Sequence, residues 1–153
     1  TGRQLTISIT RAAGDVPDGN TGTGGGNGSV QRPDLIPGVS LIPPGGQSAD
    51  LWINPAAFAI PPKGRWGMAG RSLLTGPGLV QFDVGVTRRF RLSEERNFEF
   101  RWEAFNVFNR TQLGNPNTNL SDGPNFGRIT APFNRLFGTG TNRQMQFSLR
   151  LNF

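Results

Sequence analysis

Two carboxylates, Glu99 and Glu103, are the residues whose type and spacing could support chemistry. They lie four positions apart in a segment that alternates like a β-strand, so both would share one face. Paired carboxylates of this kind perform acid and base or nucleophile roles in glycoside hydrolysis. The alternative is a salt-bridge ladder with Arg89, Arg101 and Thr87 across a hairpin. Because no other residues assemble a cleft around the two carboxylates, we expect the ladder and no enzyme.

Other catalytic or metal-binding chemistry has little support. The chain contains no Cys and no His, which excludes disulfides, thiolate chemistry, and zinc or haem ligation by these residues. The glycine run at residues 22–28 lacks the Gly-Lys-Ser/Thr of a phosphate loop and predicts a flexible loop. A segment that resembles an oxygen-rich calcium loop contains Asn115, Asn117, Asn119 and Asp122. Because Phe126 occupies its closing position, we favour a turn-rich loop over a weak cation site and expect no cofactor.

The positive charge of the chain is scattered along the sequence. The formal net charge is +6, and no run of basic residues exceeds Arg88-Arg89. Aromatic residues do not alternate with the basic ones as they do in a groove for single-stranded nucleic acid. We therefore expect solvated charge and no nucleic-acid partner. No apolar run approaches the roughly 20 residues of a membrane helix.

Four segments alternate with a period of two, which predicts β-strands near residues 4–10, 80–90, 97–108 and 143–153. The last has no exception, and its apolar face would contain Met145, Phe147, Leu149, Leu151 and Phe153. In the segment 80–90, Arg88 falls on the apolar face near the strand end, where an arginine can snorkel or a bulge can shift the register.

The connections between these strands are strongly unequal in length. Residues 92–96 form a short polar turn, whereas residues 11–79 and 109–142 form two long loops. Outer-membrane barrels have short periplasmic turns, long extracellular loops, an apolar face toward lipid and a polar face toward the lumen. The sequence therefore predicts an all-β fold: an antiparallel meander of about four strands with two long loops, part of a transmembrane β-barrel.

Aromatic residues fall in two parts of the predicted fold, the strand ends and the long loops. Phe90, Phe98 and Phe153 fall at the predicted periplasmic strand ends, where an aromatic girdle belongs. The loops contain a second set, Trp52, Phe58, Trp66 and Phe126. These loop aromatics either pack the loops on themselves or contact cargo, and packing is the favoured interpretation.

Six blocks occur in a fixed order: QRPDL at 31–35, WINPAAF at 52–58, GRSLLTGPG at 70–78, EFRWEAFNVFN at 99–109, GNPNT at 114–118 and NFGRI at 125–129. The series resembles the carboxy-terminal part of Oar-like TonB-dependent receptors. The resemblance implies a barrel of about 22 strands that carries bulky, poorly defined substrates across the bacterial outer membrane. The residues of this chain that match the closing strand of the family are Phe147, Leu149, Leu151 and Phe153. Together with Met145 they would form the assembly signal.

The resemblance covers only the last strands and loops of such a receptor. The plug domain and the contact with the TonB complex would lie elsewhere in the parent chain. Expected partners are outer-membrane lipid, the barrel assembly machinery, the TonB complex through the missing plug, and the remaining barrel strands. Four strands cannot close a barrel, so we expect the chain alone to be unstable or to aggregate. The alternative function is a secreted β-sandwich binding module, for example for carbohydrate.

Overall fold

The computed structural model describes residues 2–11, 15, 31–133 and 142–153. The chain forms two compact units. Unit 1 comprises Thr1–Pro77 and Gly114–Ala131, and unit 2 comprises Gly78–Leu113 and Pro132–Phe153. Antiparallel strands dominate and helix is scarce, which confirms the all-β fold class. Within the described ranges, no helix has both the length and the apolar character required to cross a bilayer.

Unit 2 is built on a three-stranded antiparallel meander. Its strands are β5 (Val84–Arg91), β6 (Asn97–Phe105) and β7 (Gln144–Asn152), and β6 lies between the other two. The turn between β5 and β6 is closed by hydrogen bonds from the Leu92 and Ser93 amides to the Arg96 carbonyl, 2.9 and 3.1 Å. Three of the four strands expected from the sequence therefore form one sheet, although their ends differ from the expected ones.

Strand β6 ends at Phe105 and does not continue to residue 108. Asn106 takes a left-handed conformation with φ 51°, which an extended strand cannot contain. Its buried side chain bridges the turn that follows, because Nδ2 donates to the Arg110 carbonyl and Oδ1 accepts from the Arg110 amide, 2.9 and 3.0 Å. The Asn106 amide donates to Asp83 Oδ1 at 2.8 Å. In the sequence, the alternation of apolar and polar residues is lost at 105–108, where this turn lies.

Among the described residues of unit 1 are two short antiparallel strand pairs and the two 3-10 helices named below. Strand β1 (Gln4–Leu5) pairs with β4 (Leu74–Thr75), and β2 (Asp34–Leu35) pairs with β3 (Phe58–Ala59). The 3-10 helices are Pro55–Ala57 and Leu120–Asn125, and the side chains of Asn54 and Asn119 cap their amino ends. The core of this unit consists of Leu5, Ile7, Ile53, Ala57, Phe58 and Phe126.

Residues 4–10 are not the fourth strand of the meander, and this corrects the expectation. Only Gln4–Leu5 forms a strand, and it belongs to unit 1. Farther along, Ser8 bridges Asn119 and Ile9 bridges Gln31. The alternation is real, because Leu5, Ile7 and Ile9 are buried. A period of two reports a half-buried extended segment, and it does not identify the partner strand.

The predicted long loops also contain more structure than expected. In the described part of residues 11–79 lie the short strands β2, β3 and β4 and the 3-10 helix Pro55–Ala57, and in that of residues 109–142 lies the 3-10 helix Leu120–Asn125. Gly127, with φ +78°, shows why the segments can meet closely, because a Cβ there would lie 2.8 Å from the Ile53 carbonyl oxygen.

Candidate functional site

The meander of unit 2 has one apolar face. Partner residues in an antiparallel sheet point to the same side, so the register groups the side chains into rows. The apolar rows are Val84 with Ala104 and Met145, Val86 with Trp102 and Phe147, Arg88 with Phe100 and Leu149, and Phe90 with Phe98 and Leu151. Phe147 is 68% exposed and Leu149 is 67% exposed. Contiguous exposed apolar surface of this kind marks a surface that meets lipid or a partner.

Aromatic side chains gather at the turn end of this face. The Phe90 and Phe98 rings are register partners with centroids 6.0 Å apart. Leu151 is the register partner of Phe98, and Phe153 follows two residues later with its side chain almost fully exposed. The three residues expected to form a girdle therefore lie toward the same end of the sheet. Their position at a membrane interface stays a prediction.

Arg88 is the one charged residue of the apolar rows. The register runs through it without a bulge, which leaves the snorkelling alternative of the two considered. Its guanidinium carbon lies 5.2 Å from the centroid of the Phe90 ring, a cation–π geometry. Arg88 therefore lies over the aromatic end of the face, three residues before the strand ends at Arg91.

The opposite face is polar and internally paired. Its rows are Gly85 with Glu103 and Gln146, Thr87 with Arg101 and Ser148, Arg89 with Glu99 and Arg150, and Arg91 with Asn97 and Asn152. Arg89 Nε donates to Glu99 Oε2 at 2.5 Å. Glu103 accepts from both Arg101 and Gln146. Each of the two carboxylates thus holds a guanidinium, as the ladder interpretation predicts.

Three of the four loop aromatics are packing residues. Phe58 and Phe126 are 6% and 2% exposed, and their rings meet edge to face with centroids 5.9 Å apart. Trp52 packs against the same core, and its Nε1 donates to the Thr75 carbonyl at 3.1 Å. The buried rings of Phe58 and Phe126 cannot touch cargo, and Trp52 is partly buried, so Trp66, 38% exposed, is the most open of the four.

Trp66 lines a cavity of about 700 Å³ in unit 1. The lining residues are Thr6, Ser8, Arg32, Trp66, Gly67, Arg71 and Thr118. Except for Trp66, the sequence did not single out any of these residues as ligand contacts. Arg32 and Arg71 do fall within the ordered blocks at 31–35 and 70–78, which is the one sequence signal that points toward them.

The polar side chains of the oxygen-rich loop form hydrogen bonds within the loop. Asp122 accepts from Asn117 Nδ2 at 2.6 Å and from Asn119 Nδ2 at 3.1 Å. The side-chain oxygens of the two asparagines accept backbone amides, from Asn119 and Ser121, each within 3.1 Å. In the part of the chain that the structure describes, no three His, Cys, Asp or Glu residues form a group able to hold a metal. The glycine run at 22–28 lies outside the described residues.

A family model named "Outer membrane beta barrel domain" matches residues 1–146. The chain belongs to this family. An outer-membrane β-barrel domain acts in the outer membrane of Gram-negative bacteria, and its surroundings include membrane lipid. No curated protein and no solved structure matches the chain.

Membership of the outer-membrane β-barrel family explains the exposed apolar face. Apolar side chains on alternate positions of a barrel strand face hydrocarbon, where their exposure costs nothing, while the other positions face the lumen. The paired charges of the opposite face suit that wet interior. The expectation of an outer-membrane barrel is thereby confirmed at the level of the family.

Proposed function

We propose that this outer-membrane β-barrel domain is the carboxy-terminal barrel wall and loop region of an Oar-like TonB-dependent transporter for a bulky substrate. The observation that carries the proposal is the division of the β5–β6–β7 meander into an exposed apolar face and an ion-paired polar face. The six ordered blocks, which resemble this receptor type, give the narrower assignment.

The polar face favours a wide barrel. Barrels of about eight strands have an interior that side chains fill, whereas those of about 22 strands enclose a lumen that holds a plug. Arg89, Arg101 and Arg150 are long side chains on the face that points inward, and the Arg89 side chain is 75% exposed. Such groups fit a lumen that contains water or the polar surface of a plug.

The orientation follows from the short turn. With residues 92–96 in the periplasm, the chain before β5 and the chain after β6 are extracellular, as the loop lengths of outer-membrane barrels require. Strand β7 then supplies the assembly signal, with Met145, Phe147, Leu149 and Leu151 on its lipid face. Its recognition by the barrel assembly machinery is strand addition to an open sheet edge.

The secreted β-sandwich alternative requires a second sheet packed on the meander, and the described residues of unit 2 form none. A sandwich covers its apolar face with another sheet about 10 Å away. Among the described residues of unit 2, the apolar side chains of β7 stay largely exposed. The family match to an outer-membrane domain also favours lipid as the covering medium.

The proposal is tested on the full-length gene product, purified from outer membranes into nanodiscs. Cryo-electron microscopy is expected to show one barrel of about 22 strands with a plug inside and with β5, β6 and β7 adjacent in the wall. The periplasmic domain of TonB is expected to bind the same preparation. A barrel of about eight strands with a side-chain-filled interior, or the absence of TonB binding, would overturn the transporter assignment.

A further inference from the structure

The cavity of unit 1 is held open by backbone contacts. Gly67 packs against the segment that contains Arg32, and a Cβ on Gly67 would lie 1.9 Å from the Arg32 carbonyl oxygen. The Ala69 amide donates to the Pro33 carbonyl at 2.9 Å and fixes the same two segments side by side. On another wall, the Ser8 amide donates to the Thr118 carbonyl at 2.9 Å. A cavity built this way is preformed, as ligand sites usually are.

Two arginines give the cavity its charge. The Arg32 guanidinium is positioned by a hydrogen bond from Nη1 to the Ala69 carbonyl, 2.8 Å. Arg71 is exposed at the cavity wall. Within the described ranges neither forms an ion pair with a carboxylate, in contrast to the neighbouring Arg65, which pairs with Asp34. Guanidinium groups without an internal counter-ion favour an oxyanion, which they bind in a bidentate manner.

The remaining wall is suited to a sugar. Trp66 presents a large aromatic surface, and Thr6, Ser8 and Thr118 contribute hydroxyl-bearing side chains. Aromatic rings pack against the apolar faces of sugar rings, while hydroxyl groups exchange hydrogen bonds with sugar hydroxyls. A volume of about 700 Å³ is large enough for more than one monosaccharide.

From these three features we propose that the cavity binds a carboxylate-bearing oligosaccharide of the uronic-acid type. The carboxylate lies between Arg32 and Arg71, and a sugar ring lies against Trp66. The interpretation of this ligand as transported cargo rests on the proposed transporter function, but the binding itself does not.

The test uses the full-length protein in nanodiscs and isothermal titration calorimetry with trigalacturonate. Neutral galactotriose and galactose 6-phosphate are the comparison ligands. Trigalacturonate is expected to bind, with affinity that falls as salt is raised, and galactotriose to bind at least tenfold more weakly because two charge-assisted hydrogen-bond partners stay unused. Tighter binding of galactose 6-phosphate would overturn the uronate assignment in favour of a phosphate ligand.

Variants locate the ligand. Arg71→Gln is expected to weaken trigalacturonate binding by about tenfold or more, and Trp66→Ala to weaken it as well. Arg128→Gln is the matched control, because Arg128 also belongs to unit 1 but pairs with Asp50 away from the cavity lining. Unchanged affinity in Arg71→Gln, or an equal loss in Arg128→Gln, would overturn the proposal. Binding of trigalacturonate by a protein that does not bind TonB would sink the transporter assignment and leave this inference standing.

Discussion

The side-chain amide of Gln112 forms two hydrogen bonds with the backbone of Val80, as a neighbouring strand would. Its Oε1 accepts from the Val80 amide at 3.2 Å, and its Nε2 donates to the Val80 carbonyl. Gln112 is 3% exposed, so the amide group is used inside the protein. The side chain thereby satisfies the backbone of a residue that the alternation assigned to a strand, although strand β5 begins only at Val84.

This relationship predicts a stability loss in Gln112→Ala. The variant removes two hydrogen bonds to Val80, a residue that is 58% exposed, and a typical intramolecular hydrogen bond contributes about 0.5–1.5 kcal/mol. The measurement is the urea concentration at which half of the full-length protein in lipid is unfolded. The folded and unfolded fractions are read from their separate bands on semi-native gels. Gln4→Ala, at an exposed strand position, is the control and is expected to leave the midpoint unchanged. Equal midpoints for the two variants would show that the Gln112 amide contributes nothing.

The two faces of β7 predict opposite responses to a new charge. Leu149→Arg places a guanidinium in hydrocarbon, which costs about 2–4 kcal/mol near the bilayer midplane. Ser148→Arg, one residue earlier, places the same group on the polar face opposite Arg101, and it is expected to cause a smaller defect because water screens the two like charges there. The amount of folded protein in purified outer membranes measures both. A larger defect in Ser148→Arg than in Leu149→Arg would reverse the assignment of the faces.

The aromatic pair of unit 1 predicts a structural role for Phe126. Phe126→Ala removes the ring that meets Phe58 and leaves a cavity in the core, at a cost of about 3–5 kcal/mol. Protease cleavage of the extracellular region on intact cells is expected to accelerate in this variant. Trp66→Ala is the control, since Trp66 lies outside the core cluster that contains Phe126. Faster cleavage in Trp66→Ala than in Phe126→Ala would contradict these placements.

The environment of Asp34 predicts that the stability of unit 1 falls in acid. Burial acts to raise the pKa of Asp34, but the hydrogen bond from the Met68 amide and the Arg65 guanidinium outweigh it and hold the pKa below the ordinary value of 3.8. A carboxyl with a lowered folded-state pKa contributes stability that is complete above its unfolded pKa. That stability is lost as the pH falls below 3.8 and through the folded-state pKa.

The corresponding experiment compares Asp34→Asn with the parent protein by protease cleavage from neutral pH to about pH 2, with a neutral protease near pH 7 and an acid protease in the titration range of Asp. Asp34→Asn is expected to be cleaved faster at neutral pH and to converge with the parent in strong acid. Asp50→Asn is the control, because the Asp50 side chain is 90% exposed and its partner Arg128 lies 3.4 Å away. A difference between Asp34→Asn and the parent that persists or grows in acid would show that the charge of Asp34 is not the stabilising feature.

Much of unit 2 could be predicted from the sequence, because alternation is a local signal. Phe98, Phe100 and Trp102 share a face in any extended strand, and no distant residue is needed to infer it. The residue at which β6 ends is harder to predict, since it depends on the left-handed backbone of Asn106. The sequence loses its alternation at residues 105–108, but nothing in it indicates a left-handed residue as the cause.

Unit 1 could not be predicted in the same way, because its contacts are long-range. Phe58 and Phe126 form one ring pair although they are far apart in sequence, and the spacing of neither indicates the other. Arg32 and Arg71 share a cavity wall only because Gly67 and Ala69 bring their segments together. The loop lengths place residues 11–79 in one long connection, yet the described part of this segment contributes Ile53, Ala57 and Phe58 to a core.

The central claim is that alternate residues of β7 face lipid and lumen, and accessibility scanning tests it most directly. Single cysteine substitutions are made at residues 145–151, and each is spin-labelled in the full-length protein in bilayers. The label reports its contact with lipid-soluble oxygen and with a water-soluble nickel chelate. This chain has no cysteine that would take up label elsewhere. Labels at Met145, Phe147, Leu149 and Leu151 are expected to favour oxygen, and those at Gln146, Ser148 and Arg150 to favour the chelate. Equal access to the chelate at both sets of positions would contradict the account.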